Sequence, residues 1–446
     1  MSSLHYITGA AGTGKTHALA DFLVKWFDNN VLAKHQAVLA ITRMHGARKR
    51  LRERLNERSI SARFSISTVD SFALQIINRW RLTFGYSSPI VPGIEGAFTK
   101  DEIGYRATFE EIMKSAADIS ASPAVAKTVA NSFPIILIDE FQDCTDNQLA
   151  LIRNLRNYVD LILAADPFQA LDGNESACKW ALGFEGDESV KFTRLEGSRR
   201  TKCSYILDAA DALLENRCAI YRRDPLPVFF APTYNVATWK LLPKLTERNV
   251  TAALIYPAHS VLVNLTNSVK RQSDKRIAEG KKAIRFPWRT QMSDAELEKQ
   301  ACAEFSEARQ QRTWDKNMTW RKLHEQAQYI SKAKGYNEVP EKLFGYVVTS
   351  FIHSRKFVAV RPNKFEATTV HGAKNREFDH VYVIWDNNLC TKIDDDRKRR
   401  LLYNAITRAS ISCRVIAIGS KNQIRACPVL SLLGEPKDSL GTKLRK

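Results

Sequence analysis

Leu4-His5-Tyr6-Ile7-Thr8-Gly9-Ala10-Ala11-Gly12-Thr13-Gly14-Lys15-Thr16 opens the chain as a short apolar run, a glycine-rich turn and the start of the helical stretch His17–Trp26. Gly9–Thr16 fits G-x-x-x-x-G-K-[ST] and stands between a strand and a helix, the setting its chemistry requires. The small residues Gly9, Ala10, Ala11, Gly12, Thr13 and Gly14 let backbone N–H groups wrap phosphates, and the next helix aims its positive end at them. Lys15 neutralises charge there, and the Thr16 hydroxyl is a ligand for Mg²⁺. The expected ligand is ATP.

The strand-then-helix pattern recurs. Ala37–Ile41 reads as a buried strand before the basic helix Gly46–Arg58, Ile135–Ile138 precedes the helix Gln148–Leu155, and Leu161–Ala164 precedes Asp166. A second set follows, with strands at Ala252–Ile255, Val381–Ile384 and Arg414–Ala417 and a helix at Arg400–Arg408. Short apolar strands alternating with helices imply parallel sheets covered on both faces, so the fold class is α/β. Two polar, helix-rich stretches interrupt the sets. The predicted organisation is residues 1–71 and 132–194 as a first α/β domain with 72–131 inserted, and 195–267 and 353–446 as a second with 268–352 inserted. Trp288, Trp314 and Trp320 in the latter read as core packing in preference to a binding surface.

A phosphate loop needs an acid at the end of a neighbouring strand, and Ile135-Ile136-Leu137-Ile138-Asp139-Glu140 supplies two. Asp139 is placed to hold Mg²⁺, and Glu140 to orient and deprotonate an attacking water. The net charge of +19 over 446 residues favours a polyanion as partner. Eight scattered cysteines contain no CxxC pair, which argues against zinc or iron–sulfur sites and for reduced thiols. No apolar run is long enough for a bilayer and no export signal opens the chain, so the expected location is cytoplasmic.

With Asp139-Glu140-Phe141-Gln142-Asp143, the sequence resembles the UvrD/Rep group of superfamily-one DNA helicases, whose motif reads DEFQD. Other blocks follow in family order. Ile41-Thr42-Arg43 through Ala47 and Arg54 resembles the second block, and Ser67-Thr68-Val69-Asp70-Ser71-Phe72 the T-x-H-S-F block. Asp166-Pro167-Phe168-Gln169 is similar to GDxxQ, Leu195 to Thr201 to L-x-x-N-Y-R-S, and Thr369-Val370-His371-Gly372-Ala373-Lys374 to T-x-H-x-A-K-G. Arg400 to Ala409 resembles the final R-L-x-Y-V-A-x-T-R-A block.

The resemblance implies two RecA-like domains with ATP between them and single-stranded DNA across both. It implies that Gln169 senses the γ-phosphate, that Arg200 and Arg408 are arginine fingers, and that Glu377 reaches the ribose. It also implies DNA contacts from Thr42, Arg43, Thr68, Asp70, Ser71, Thr369 and His371. The activity so implied is ATP-driven 3′-to-5′ translocation on single strands or tailed duplexes. The alternative is an ATP-gated DNA sensor that controls a protein partner such as a nuclease, for example in antiviral defence, without unwinding.

Departures from the family qualify this. Only eight residues precede Gly9, so a counterpart of the family's adenine-reading glutamine segment is not expected, and Arg199 stands where an aromatic usually stacks on the base. Relaxed nucleotide preference is the expectation. Ile41 replaces a phenylalanine, Asp70 a histidine, Asp172 a tyrosine, and Asn375-Arg376 the usual Gly-Leu. Fewer stacking platforms leave more of the DNA affinity to phosphate contacts from Arg43, Arg48, Lys49 and Arg376, although the Arg/Lys helix run reads equally as a solvated face. The short second insertion puts duplex contact in doubt.

Overall fold

The structure is a computed structural model that describes residues 2–42, 53, 57, 63–93, 97–100, 104–171, 173–241, 250–284, 288–290, 294–333, 338–341, 343–348, 365–374, 376–391 and 393–435. Its strands, in chain order, are β1 (Leu4–Gly9), β2 (Val38–Ile41), β3 (Phe64–Ser67), β4 (Ile90–Pro92), β5 (Thr99–Lys100), β6 (Tyr105–Ala107), β7 (Ile135–Ile138) and β8 (Asp160–Ala165). They continue with β9 (Val190–Leu195), β10 (Val228–Ala231), β11 (Ala252–Tyr256), β12 (Arg289–Thr290), β13 (Phe365–Thr369), β14 (Phe378–Asp386) and β15 (Ala409–Ile418).

Two parallel six-stranded sheets form the frame, ordered β3-β2-β7-β8-β1-β9 and β10-β15-β14-β11-β13-β12. They are the sheets of two RecA-like domains. The period-two side-chain rule explains why both faces must be covered. In the first sheet Leu4, Tyr6, Ile136, Ile138, Leu161 and Leu163 face one helical layer, while Ile7, Ile135, Leu137 and Ile162 face the helix Lys15–Phe27. The second sheet divides alike, with Ile255, Val383 and Trp385 on one side and Leu254, Tyr382 and Ile384 on the other. Each such fully enclosed aliphatic side chain contributes about 1.5 to 3 kcal/mol, so strands of four or five residues suffice.

The first interruption is mainly helical, as expected, but also holds a small sheet. Helices Val69–Trp80, Phe109–Ser120 and Pro123–Ser132 frame a three-stranded sheet ordered β4-β6-β5. Strands of two or three residues are too short for a periodic signal. The edge strand β9 also escaped the sequence reading, because Val190-Lys191-Phe192-Thr193-Arg194-Leu195 alternates apolar and polar residues along an exposed margin. The later interruption has its own core of Phe305, Leu323, Leu343, Phe344 and Val347, which Val91 of β4 joins. Trp288 is buried edge-on against Phe365 and Tyr382, and Trp314 stacks on His324 with ring centroids 3.9 Å apart.

All eight cysteines are free thiols, five of them buried. Among the described residues no helix is long and apolar enough to cross a membrane.

Candidate functional site

The phosphate loop lies where β1, enclosed between β8 and β9, turns into the helix Lys15–Phe27. Its sharpest bends are at Gly12 (φ 80°) and Gly14 (φ 95°), in the left-handed region that favours glycine. A Cβ on Gly12 would come within 2.8 Å of the Arg200 Cβ, and one on Gly14 within 2.9 Å of the Arg199 Cδ. The segment around Arg199 is therefore laid directly on the loop, where the Arg199 amide donates to the Gly12 carbonyl at 2.7 Å. Lys15 is buried, and its Nζ donates to the carbonyls of Gly9 (2.7 Å) and Ala10 (3.0 Å). The Thr16 hydroxyl donates to Asp139 Oδ2 at 2.9 Å, joining two residues 123 apart in sequence.

Asp139 and Glu140 leave the end of β7, whose four apolar residues are all buried. Glu140 has a left-handed backbone (φ 60°, ψ 42°), a costly conformation for a non-glycine residue that turns its side chain into the cleft. Gln142 Nε2 donates to Glu140 Oε2 at 2.6 Å, while Gln142 Oε1 accepts from the Asp166 amide at 2.9 Å. Burial alone would raise the Glu140 pKa. The charges of Lys15 and Lys374, the Gln142 hydrogen bond and the Arg408 charge outweigh it, and the pKa is lowered.

Residues from segments that follow the first sheet complete the cleft. Arg408 is 1% exposed, and its Nη2 donates to Gln169 Oε1 at 2.9 Å. Burial first, then the neighbouring Arg200 charge, lower its guanidinium to about 10, against the opposing pull of Glu140. Arg200 pairs with Glu377 at 3.0 Å and donates to the Thr407 carbonyl at 2.8 Å. Gln169 Nε2 donates to Asp166 Oδ2 at 2.7 Å. Three residues whose contacts were absent from the sequence reading also reach across the cleft. Lys374 Nζ reaches Asp143 and the Gln169 carbonyl, Arg400 reaches the Pro167 carbonyl and Glu175, and Tyr403 Oη reaches both the Ala11 amide (2.7 Å) and Asp166 Oδ2 (3.2 Å). Lys374, Arg400 and Tyr403 all lie in recognised blocks, so their position was visible but their reach across 205 to 392 residues of sequence was not.

The residues expected to touch DNA collect at the C-terminal ends of β2, β3 and β13. Thr42 is fully enclosed, with its amide on the Ser67 carbonyl at 3.0 Å. Thr68 caps the helix Val69–Trp80 through the Ser71 amide, and its hydroxyl donates to Ser71 Oγ at 2.8 Å. These two threonines thus face the protein interior. Asp70 accepts from Gln148 Nε2 at 3.1 Å, Thr369 Oγ1 accepts from the Gly372 amide at 3.0 Å, and Ser71 and His371 are exposed. Arg376, expected as a phosphate contact, is instead committed to the buried carboxylate of Glu366 and lies 5.2 Å from the Phe378 ring. Arg43, Arg48, Lys49, Arg54, Asp172 and Asn375 lie outside the described residues.

The donor set at Thr16 and Asp139 suits a hard divalent cation such as Mg²⁺, which takes few protein oxygens and completes its shell with phosphate and water. Among the described residues no group of three or more His, Cys, Asp or Glu stands ready to hold a metal by itself. Residues 1–174 match the family model of an AAA domain, and residues 364–416 that of the UvrD-like helicase C-terminal domain. No curated protein matches the chain significantly.

Proposed function

The chain belongs to the UvrD-like family of superfamily-one DNA helicases, ATP-hydrolysing motors on nucleic acid, and on that premise we propose that it steps 3′ to 5′ along single-stranded DNA by opening and closing the cleft between its two sheets. The observation that carries this reading is the division of the cleft chemistry. Lys15, Thr16, Asp139, Glu140 and Gln169 come from the first sheet, and Arg200, Glu377 and Arg408 reach them from segments that follow it.

In this reading Lys15 exchanges the Gly9 and Ala10 carbonyls for the terminal phosphates of ATP. Thr16 and Asp139 hold Mg²⁺, which when bound offsets phosphate charge. Glu140, held ionised by the cations around it, takes the proton of the attacking water. Gln169 and Arg408, already bonded to each other, face the γ-phosphoryl, and Arg200 adds a second guanidinium. A guanidinium offers a fixed fork of donors to the charge that develops there. Because those cations enter from the opposite wall, the transition state needs a closed cleft, and hydrolysis releases it. Exposed Ser71 and His371, at strand ends of different sheets, and the net charge of +19 support DNA lying across both. Arg199, whose side chain lies over Gly14, occupies the base-facing position, which supports weak discrimination between purines.

The test is ATP turnover with and without single-stranded DNA, beside displacement of a strand from duplexes tailed at the 3′ or the 5′ end. Stimulated turnover with displacement only from the 3′ tail is expected. Stimulation without displacement from any tail would instead support the ATP-gated regulatory subunit, and no stimulation would sink both.

A further inference from the structure

A phenol from the second sheet's side of the cleft rests on the phosphate loop. Tyr403, on the helix Asp395–Ile406, is 1% exposed, and its hydroxyl accepts the Ala11 amide proton at 2.7 Å. A hydroxyl has one proton to donate, and here it points to Asp166 Oδ2 at 3.2 Å. That same carboxylate oxygen takes Gln169 Nε2 at 2.7 Å and stands 3.7 Å from Lys15 Nζ. Through Gln169 the chain of contacts continues to Arg408, and through the Asp166 amide and Gln142 to Glu140. The ring is fixed edge-on against Phe168, with centroids 5.0 Å apart. The hydroxyl therefore joins the loop that binds phosphate to the groups that act on it, and does so only while the two walls are together.

We propose that Tyr403 is a positioning residue for ATP hydrolysis, its hydroxyl setting the Ala10–Ala11 turn and Asp166 in register when the cleft closes. This rests on the reading that hydrolysis occurs in this cleft. Two physical consequences follow from the geometry. Without the hydroxyl, a half-buried amide and a buried carboxylate each lose a partner. Asp166 is then left with fewer donors, and Gln169, which bonds to the same carboxylate oxygen, is held less firmly toward the reacting phosphoryl.

The experiment is Tyr403→Phe, which keeps the ring and its packing, compared with the parent and with Glu140→Gln. Steady-state turnover without DNA gives kcat and KM, titration of a non-hydrolysable ATP analogue gives affinity, and thermal unfolding reports the fold. The expected result is a kcat about tenfold lower or more, equivalent to about 1.4 kcal/mol per tenfold, with analogue affinity within about threefold and an unchanged melting midpoint. Three results overturn the proposal: kcat within about twofold of the parent, a loss of kcat matched by losses of affinity and stability, or a faster enzyme, which would make the hydroxyl a brake. If Glu140→Gln retains parental turnover, the reading of the cleft falls and Tyr403 falls with it. If Glu140→Gln is dead and Tyr403→Phe is normal, Tyr403 alone is refuted.

Discussion

Lys374 and Asp143 allow a quantitative prediction about closure. Their side chains are 7% and 4% exposed, they come from opposite walls of the cleft, and Lys374 Nζ also donates to the Gln169 carbonyl at 2.9 Å. Removing one member of a buried ion pair typically costs about 3 to 5 kcal/mol, because the remaining charge is left without its partner in a poorly solvated site. Here the cost falls on the closed arrangement, since opening returns both groups to water. Lys374→Met keeps the chain length and removes the charge. It should lower kcat/KM for ATP by roughly a hundredfold to a thousandfold, the kinetic equivalent of the lower part of that range. Lys374→Met with Asp143→Leu removes both charges and should recover part of the loss. The bond to the Gln169 carbonyl is lost in both backgrounds and cancels. A cycle of the two single variants and the double variant should therefore show a coupling of about 1.5 to 3 kcal/mol in kcat/KM. Additivity within about 0.5 kcal/mol would refute the argument that this pair governs closure.

The other predictions concern the loop, the base and the rim of the first sheet. Glu140→Gln preserves shape and the Gln142 contact but removes the proposed proton acceptor, so kcat should fall by about a hundredfold to ten-thousandfold while the nucleotide stays bound, as a filter-binding assay would show. Gly12→Ala meets a left-handed φ and the Arg200 Cβ at 2.8 Å, and should raise KM for ATP by about tenfold, with rapid mixing of a fluorescent analogue as the check. His5 Nε2 stands 2.9 Å from Thr193 Oγ1, and burial, with help from Lys191 and Lys25, lowers its pKa from 6.5 to about 4. Between those values the unfolded chain binds a proton that the folded chain does not, so this contribution is present above about pH 6.5 and lost as pH falls toward 4. Allowing for solvent screening, the effect is about 1 to 2 kcal/mol. The thermal midpoint of the parent should drop more steeply with acidification than that of His5→Gln, and parallel curves would contradict the assignment.

The frame was legible because its strands are uninterrupted apolar runs. Ile135–Ile138 has no polar residue to blur it, and the acidic pair immediately after it could only be a strand end. The phosphate loop was legible because glycine and lysine occur there at a spacing that backbone geometry imposes. The contacts that tie the walls together were not. Tyr403 sits in Leu401-Leu402-Tyr403, a stretch that reads as helix core, and it is core by burial; only the partner of its hydroxyl, 392 residues away, gives it a second meaning. Arg376 shows the opposite limit. A cation beside a block expected to touch DNA reads as a phosphate contact, yet Glu366, buried in β13, claims it from ten residues upstream. Nor does any residue type announce the left-handed backbone at Glu140.

Every strand of the first sheet precedes Glu196, and every strand of the second follows Pro227. A chain interrupted between Leu195 and Ser204 would leave each fragment with a whole sheet and an incomplete set of the proposed catalytic groups. Two defective copies, one lacking Glu140 and the other lacking Arg408, could then restore turnover as a pair of matched fragments although neither does so alone. Activity in such a pair becomes a direct count of fragments that have found each other, and gives genetics a handle on a step that is otherwise a motion.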